Sequence, residues 1–214
     1  MTIEGILFDF DGVLADTMED NFRAWKRSFK SFGVKISKEE YFILEGRKLI
    51  DVAEILGSRH GVNLENYGRI VELKNRFYLE NNSFRFYPGV AELVDQLYSK
   101  IKMCIVSASP RGKLEKTVPK EFIKKFNYVV SGDDSERGKP FPDPYLKGCE
   151  KLGISPGNCV VIENAPLGIE SAKKAGIYCI AISSTLPRKL LSGADEIIEK
   201  FEDLKNVEII GKLL

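Results

Sequence analysis

Two aspartates, Asp9 and Asp11, close an apolar, β-prone run near the start of the chain. In an extended strand the side chains at positions i and i+2 point to the same side, so both carboxylates are expected together at the carboxyl end of a strand. Carboxylates this close repel each other and are seldom both buried without a cation or a proton. A divalent metal is the simplest such cation, although Asp11 followed by Gly12 is also typical of an ordinary turn.

The composition favours chemistry on a small molecule. The chain has 214 residues, of which 43% are hydrophobic, enough for one compact domain or a domain with a modest insertion. With 32 basic and 31 acidic residues the net charge is +1, so neither nucleic acid nor a membrane surface is an expected partner. The chain shows no signal-peptide pattern and no apolar stretch near the roughly 20 residues that span a bilayer, so a cytoplasmic location is expected.

The cysteines and the single histidine argue against other kinds of site. His60 lies in a polar stretch that predicts a connection between helices, from which a Ser-His-Asp or Cys-His arrangement would have to recruit it. The cysteines are widely spaced and lack a C-x-x-C pair, which is typical of free buried thiols and not of a zinc site or a disulfide framework. They are Cys104, Cys149, Cys159 and Cys179.

The predicted secondary structure that must position the two aspartates differs between the first and the later parts of the chain. After the first strand, apolar residues at three- and four-residue spacings predict four successive helices, over residues 17–32, from 37 onward, 48–58 and 64–79. Thr17 with Asp20, and Ser37 with Glu40, are start signals of the capping-box kind. From residue 87 onward, helices alternate with strands predicted at 101–106, 128–130, 159–162 and 178–182, with a possible edge strand at 196–198.

This order predicts the fold class α/β. Alternating strands and helices form a Rossmann-like, mostly parallel sheet with helices on both faces, and the four helices after the first strand are a helical cap inserted into it. The expected core is residues 1–16 and 87–214, and the expected cap is residues 17–86. One core helix, near 113–126, contains Pro119, which should shorten or kink it.

Ligands of such open sheets bind beyond the carboxyl ends of the strands, so the residues that follow each strand are the candidate site. They combine carboxylates, a hydroxyl, an ammonium and an amide, a set that suits phosphoryl transfer, in which catalysis is mostly positioning and charge neutralisation. Each also has a plainer interpretation: a turn residue, a solvated loop lysine or a helix start. The candidates are Asp9, Asp11, Ser107, Lys139, Glu163 and Asn164.

The residue types suggest separate roles. Asp9 would be the nucleophile that forms an aspartyl phosphate, and Asp11 the general acid that later acts as a base. Mg²⁺ is the expected cofactor, because it prefers hard oxygen ligands. Ser107 and the backbone N–H of Ala108 would hold phosphate oxygens, and Lys139 would balance the charge on the phosphate and on Asp9.

The residues that follow the strands fall into four motifs, at 9–17, 106–109, 138–144 and 162–172. In this order the motifs resemble those of the haloacid dehalogenase-like superfamily of phosphohydrolases. The insertion after the first motif is similar to the cap of the subgroup that contains β-phosphoglucomutase and phosphoglycolate phosphatase. The resemblance implies that Asp9 binds the metal through its side chain, Asp11 through its backbone carbonyl, and that Glu163 and Asn164 stand at the remaining metal positions.

Two residues depart from the pattern that the resemblance implies. Asn21 stands where the mutase has a histidine that helps to control the general acid, which favours hydrolysis over transfer back to a sugar. Asn164 stands where the fourth motif usually has a second acid, so weaker metal binding is expected, with Glu163 contributing more. Asn21 is also a candidate for contact with the substrate.

In the resembled family the cap closes over the site and selects the substrate. Arg47 and Lys48 in a cap loop, and Arg111 after the second motif, are candidates for reaching the substrate, although ordinary surface cations explain them equally well. The expected partner is a small phosphorylated metabolite, a sugar or organic-acid monophosphate, and the expected state is a monomer or weak dimer. A phosphosugar mutase and a non-catalytic, receiver-like module that responds to phosphate are the alternatives.

Overall fold

Six parallel strands form one sheet in residues 2–214, the part of the chain that the computed structural model describes. The strand order is β3-β2-β1-β4-β5-β6, which confirms the predicted α/β, Rossmann-like class. The strands are β1 (Gly5–Phe8), β2 (Lys102–Val106), β3 (Tyr128–Val130), β4 (Cys159–Glu163), β5 (Tyr178–Ile182) and β6 (Glu196–Ile198). The α-helices are α1 (Met18–Lys30), α2 (Lys38–Phe42), α3 (Leu49–Arg59), α4 (Tyr67–Asn81), α5 (Val90–Leu97), α6 (Arg111–Thr117), α7 (Lys120–Ile123), α8 (Asp143–Leu152), α9 (Pro166–Lys174) and α10 (Glu208–Gly211).

The central strand is buried on both faces. All four residues of β1 are buried, and the strand pairs in parallel with β2 and with β4. Ile6 and Phe8 belong to one hydrophobic cluster and Leu7 to another, as expected where side chains alternate between the faces of a sheet. A parallel strand covered on both faces reads as a continuous apolar run, which explains why β1 shows no polar alternation before Asp9.

Four helices, α1 to α4, follow β1 and precede α5. Helix α1 packs against α4, and Trp25 of α1 is completely buried. Ala15 forms a β-bridge with Phe86, so the chain leaves the sheet and returns to it at adjacent points. We call residues 17–86 the cap segment; its exact limits stay a prediction.

The two predicted helix-start signals have different outcomes. Ser37 forms the expected capping box, in which its hydroxyl accepts the N–H of Glu40 at 3.2 Å and the Glu40 carboxylate accepts the N–H of Ser37 at 2.7 Å. The signal at Thr17 is wrong in its mechanism, because the Thr17 hydroxyl makes no capping bond and donates to Asp11 instead. Asp20 accepts the backbone N–H of Ser83 rather than closing the box.

Proline divides the helix that was predicted near 113–126. The segment forms two short helices, α6 and α7, with Pro119 between them, because proline has no N–H for the helical hydrogen bond. The four cysteines are free and buried, as expected. None of the helices in residues 2–214 combines the length and the apolar character needed to cross a bilayer.

Candidate active site

The carboxyl end of β1 brings Asp9 to the ends of the two neighbouring strands. β1 lies between β2 and β4, and the backbone N–H of Asp9 donates to the carbonyl of Ile162 at 2.9 Å. Ser107 directly follows β2, and Glu163 is the last residue of β4. The strand ends therefore assemble one buried polar site, as the topology of a parallel sheet requires.

Lys139 joins two carboxylates in the interior of this site. Its ammonium lies 2.5 Å from Oδ1 of Asp9 and 2.6 Å from Oε1 of Glu163, and the residue is only 2% exposed. Burial alone would lower the pKa of Lys139, but the charges of Asp9 and Glu163 outweigh it and hold the pKa above its ordinary value. Lys139 is therefore a fixed internal ammonium and not a solvated loop lysine.

The cluster around Asp9 has more negative than positive charge. Burial raises the pKa of Asp9 to about 8, because the ammonium of Lys139 only partly offsets burial and the nearby charge of Glu163. Lys139 bonds Oδ1 of Asp9, which leaves Oδ2 without a protein donor in residues 2–214. Another positive charge at this position would favour the ionised, nucleophilic form of Asp9.

Glu163 uses both carboxylate oxygens in hydrogen bonds with the protein. Oε1 accepts from Lys139 and from the Tyr145 hydroxyl at 2.7 Å, and Oε2 accepts the N–H groups of Asn164 and Ala165 at 2.9 Å and 3.1 Å. The predicted role of Glu163 as a metal ligand stays a prediction, since all four of its bonds here are made with protein donors. Its observed contacts hold Lys139 and the turn after β4 in place.

Asp11 is bound by donors from both the cap segment and the core. Thr17 donates its hydroxyl and Asn21 its side-chain N–H, at 2.9 Å, to Oδ1, while the Ser109 hydroxyl donates to Oδ2 at 3.0 Å. Although burial would raise it, the ammonium of Lys113 and the hydroxyl of Thr17 lower the pKa of Asp11 below its ordinary value. The cap segment thus takes part in positioning this carboxylate.

Two buried lysines that the sequence interpretation missed meet at Asn21. Its Oδ1 accepts hydrogen bonds from Lys74 at 2.9 Å and from Lys113 at 3.1 Å, and the two lysines are 1% and 6% exposed. Burial, and then the charge of Lys113, lower the pKa of Lys74. Lys74 could have been found, since it lies four residues from Ile70 and from Tyr78 on the buried face of α4.

Residues of the second motif and two residues of the cap segment, Gly46 and Lys48, line a small space beside Lys139. Ser107 is 4% exposed, and its hydroxyl accepts the N–H of Ser109 at 3.1 Å. A cavity of about 10 Å³ is lined by Ser107, Ala108, Lys139 and, from the cap segment, Lys48. The predicted phosphate-binding residues and the predicted cap lysine therefore face a common space.

Arg47 lines a second cavity, of about 40 Å³, between the cap segment and the core. Asp11, Asn21 and Lys74 line the same space, so Arg47 lies close to Asp11; that Arg47 and Asn21 contact the substrate stays a prediction. Both cavities are close to the size of a single water molecule. The cap segment thus packs directly against the site.

The contacts of Arg111, by contrast, lie outside this cluster. Its guanidinium donates to the carbonyl of Val129 at 3.0 Å and to the Asp134 carboxylate at 2.7 Å, and 41% of its side chain is exposed. That Arg111 reaches the substrate stays a prediction, to which these contacts lend no support.

The remaining oxygen atoms of the site fit a hard divalent cation. Asn164 is completely buried, and its Oδ1 has no hydrogen-bond donor among the residues that the structure describes. In residues 2–214 no three His, Cys, Asp or Glu side chains are grouped to hold a metal. The candidate set instead combines the Asp9 carboxylate, the backbone carbonyl of Asp11 and the Asn164 amide oxygen, which are donors that Mg²⁺ accepts.

Comparisons with known proteins show which family and which solved structures the chain is similar to. The family described as haloacid dehalogenase-like hydrolase matches residues 6–182. A phosphorylated carbohydrates phosphatase of Thermotoga maritima is 33% identical, with 96% of this chain and 98% of that protein covered. The beta-phosphoglucomutase of Bacillus subtilis is 27% identical, with 94% and 92% covered. The solved structure of a proposed beta-phosphoglucomutase from Bacteroides vulgatus has a TM-score of 0.87 and 31% identity, and covers 100% of this chain and 90% of that chain.

Proposed function

The chain belongs to the haloacid dehalogenase-like hydrolase family, as a phosphoric monoester hydrolase, and we propose that it is a Mg²⁺-dependent phosphatase that forms an aspartyl phosphate on Asp9. Its substrate would be a small phosphorylated metabolite, a sugar or organic-acid monophosphate. The observation that carries the proposal is the state of Asp9, a buried carboxylate with one oxygen held by Lys139 and the other without a protein donor in residues 2–214.

In the first half of the reaction, Oδ2 of Asp9 attacks phosphorus and the bond between phosphorus and the leaving oxygen breaks. Lys139 balances the charge on Asp9 and on the phosphoryl group. The hydroxyl of Ser107 and the N–H of Ala108 hold the phosphoryl oxygens. Asp11 in its acid form gives its proton to the leaving oxygen.

In the second half, a water molecule attacks the phosphorus of the aspartyl phosphate. Asp11, now a carboxylate, takes a proton from this water, and the bond between phosphorus and the Asp9 oxygen breaks. Inorganic phosphate leaves, and both aspartates return to their starting forms.

Three groups would hold the Mg²⁺: the Asp9 carboxylate, the Asp11 carbonyl and Oδ1 of Asn164. When bound, the ion supplies positive charge to the transferring phosphoryl group. Asn164 contributes an oxygen but no charge. Glu163 would act through Lys139, which it holds beside Asp9 at 2.6 Å.

The proposed class of substrate is supported by the names of the relatives and by the side chains that line the cavities. The Thermotoga maritima relative is named for phosphorylated carbohydrates, and the Escherichia coli hexitol phosphatase A is 25% identical over 95% of this chain. Arg47 and Lys48 line the cavities and offer donors for hydroxyl or carboxylate groups. Asn21 lines the larger cavity, but its side-chain nitrogen already donates to Asp11 and to the carbonyl of Thr17. The charge and polarity of these side chains suit a phosphorylated small molecule, but the cavities, of about 10 Å³ and 40 Å³, are too small to hold one, so the cap segment would have to move away from the core for it to enter.

A phosphosugar mutase is the second candidate, favoured by the similarity to the Bacillus subtilis enzyme. Asn21 weighs against it: an amide, with no titratable proton, bonds Asp11 at 2.9 Å. A receiver-like module is disfavoured, because the cap segment supplies donors to Asp11.

A screen for phosphate release across a panel of phosphorylated metabolites, with Mg²⁺ and with a chelator, tests the proposal. We expect release from sugar or organic-acid monophosphates that the chelator abolishes. Isomerisation primed by a bisphosphate would instead identify a mutase. If no substrate gives Mg²⁺-dependent release and acetyl phosphate labels the protein stably, the phosphatase proposal is wrong and the receiver-like alternative gains.

A further inference from the structure

A glutamate of the cap segment reaches the candidate metal site. Glu45, in the loop between α2 and α3, is only 6% exposed. Its Oε1 accepts a hydrogen bond from Nδ2 of Asn164 at 3.1 Å, whereas its Oε2 is buried without a hydrogen-bond partner in residues 2–214. A buried carboxylate oxygen without a donor calls for a proton or a cation.

The amide of Asn164 presents a matching unpaired oxygen. Its Nδ2 donates to Glu45 and to the Thr185 hydroxyl, at 3.1 Å and 2.9 Å, which occupies both amide hydrogens. Its Oδ1 is buried and has no donor among the described residues. A single proton on Glu45 could satisfy Oε2 alone, whereas one cation between these side chains could satisfy acceptors on both.

Glu45 also lies beside the backbone that follows Asp11, another proposed ligand. A side chain at Gly12 would place its Cβ 2.1 Å from Nδ2 of Asn164 and 3.1 Å from Oε1 of Glu45, so this backbone runs against both groups. Glu45 and Asn164 thus lie together next to Asp11, and each has a buried oxygen without a donor in residues 2–214.

We propose that Glu45 is a ligand of the Mg²⁺, supplied by the cap segment, and that it contributes the negative charge that Asn164 lacks. This inference rests on the proposed function, because it concerns the same metal. It has a consequence for the fold: since one ligand lies on the cap segment and the others on the core, Mg²⁺ holds the loop of residues 43–48 against the sheet.

Calorimetric titration with Mg²⁺ alone tests the role of Glu45 without any substrate. In Glu45→Gln, the amide can still accept the hydrogen bond from Asn164, but the charge is lost. We expect the Mg²⁺ affinity of this variant to fall about 10-fold or more. Adding Asn164→Asp to Glu45→Gln returns a carboxylate to the site and should restore most of the affinity. Glu54→Gln, on the exposed face of α3, is the matched control and should bind as the wild type does.

Equal Mg²⁺ affinities for the wild type and Glu45→Gln would overturn the inference, as would a wild type that binds no Mg²⁺. Hydrogen exchange of the unmodified protein gives a second readout if the variant fails to fold. Mg²⁺ should slow amide exchange in residues 43–48, and exchange that Mg²⁺ leaves unchanged there would contradict the proposal. A protein that releases no phosphate but loses Mg²⁺ affinity in Glu45→Gln would fail the proposed function and still support the metal role.

Discussion

Lys139 lies between two buried carboxylates, 2.5 Å from Asp9 and 2.6 Å from Glu163. The Lys139→Met variant keeps much of the side-chain volume but leaves both carboxylates without their ammonium. Breaking a buried ion pair in this way costs about 3–5 kcal/mol, so we expect the free energy of unfolding to fall by that amount. Chemical denaturation measures this change, and phosphate release should fall by about 100-fold or more, because charge balance at Asp9 is lost.

Lys205→Met, at an exposed position, controls for the general effect of removing a lysine. A change at a surface position of this kind is expected to alter stability by about 0.5 kcal/mol or less. If Lys139→Met unfolds at the same denaturant concentration as Lys205→Met and retains activity, Lys139 does not balance the charge of Asp9 and Glu163.

Arg111 illustrates a residue whose type suggested the site but whose contacts are elsewhere. It pairs with Asp134, whose pKa is lowered by hydrogen bonds from Ser131 and by Arg111, against the opposing effect of burial. We predict that Arg111→Met leaves kcat/KM for the substrate unchanged and costs about 0.5 kcal/mol of stability, as is usual for exposed pairs. A large loss of kcat/KM in Arg111→Met would instead indicate that Arg111 contacts the substrate.

The stability cost of Arg111→Met should depend on pH. Because the pKa of Asp134 is lowered in the folded state, its contribution is complete above the unfolded pKa of about 3.9 and is lost as the pH falls through the folded value. The wild type and the variant should therefore differ in stability at neutral pH and converge in acid. Denaturation curves at several pH values measure this, and a difference that grows in acid would contradict the pairing.

At the scale of elements, the loop after α2 depends on a glycine that approaches the site closely. Gly46 has a φ of +88°, and a Cβ there would lie 3.1 Å from Cδ of Lys139. We predict that Gly46→Ala moves the loop away from Lys139. A displacement of this kind should lower kcat/KM about 10-fold or more, in addition to a strain of about 1–2 kcal/mol from the left-handed backbone.

Gly33 provides the matched control for Gly46. Its φ is +76°, and a Cβ added there would meet nothing within 4 Å in residues 2–214 beyond its chain neighbours, so Gly33→Ala has the backbone strain without the close contact. Thermal denaturation and phosphate release of the two variants separate these effects. Similar kcat/KM values for both variants would show that the approach of Gly46 to Lys139 is unimportant.

Most helices and strands were predictable, because their signals are local. The Ser37 capping box, the break at Pro119 and the short strands before Ser107 and Asn164 all follow from neighbouring residues. The start of α1 was predicted at the correct position but with the wrong mechanism, because the Thr17 hydroxyl bonds Asp11 and does not cap the helix. A side chain that could either cap a helix or bind a catalytic residue cannot be assigned from local sequence alone.

At the scale of the whole molecule, the ends of parallel strands meet at one edge of the sheet, and this rule brought Asp9, Ser107 and Asn164 together from the sequence. Two side chains that the cap segment contributes to the site, Lys74 and Glu45, were not predictable. They reach the site only because α4 and the loop after α2 pack over it, and the spacing of residues in the sequence does not predict how closely these elements approach the core. Helical periodicity could mark Lys74 as buried, but not identify Asn21 as its partner.

The central claim is that Asp9 is phosphorylated during turnover. Acid quench of the wild type during reaction with Mg²⁺ and an active phosphomonoester, followed by mass spectrometry of the intact protein and its peptides, tests it most directly. We predict the added mass of one phosphoryl group at Asp9 in the wild type, none in Asp9→Asn, and a loss of phosphate release in that variant of about 1000-fold or more. Full phosphate release by Asp9→Asn, or a phosphoryl group on another residue, would contradict the account.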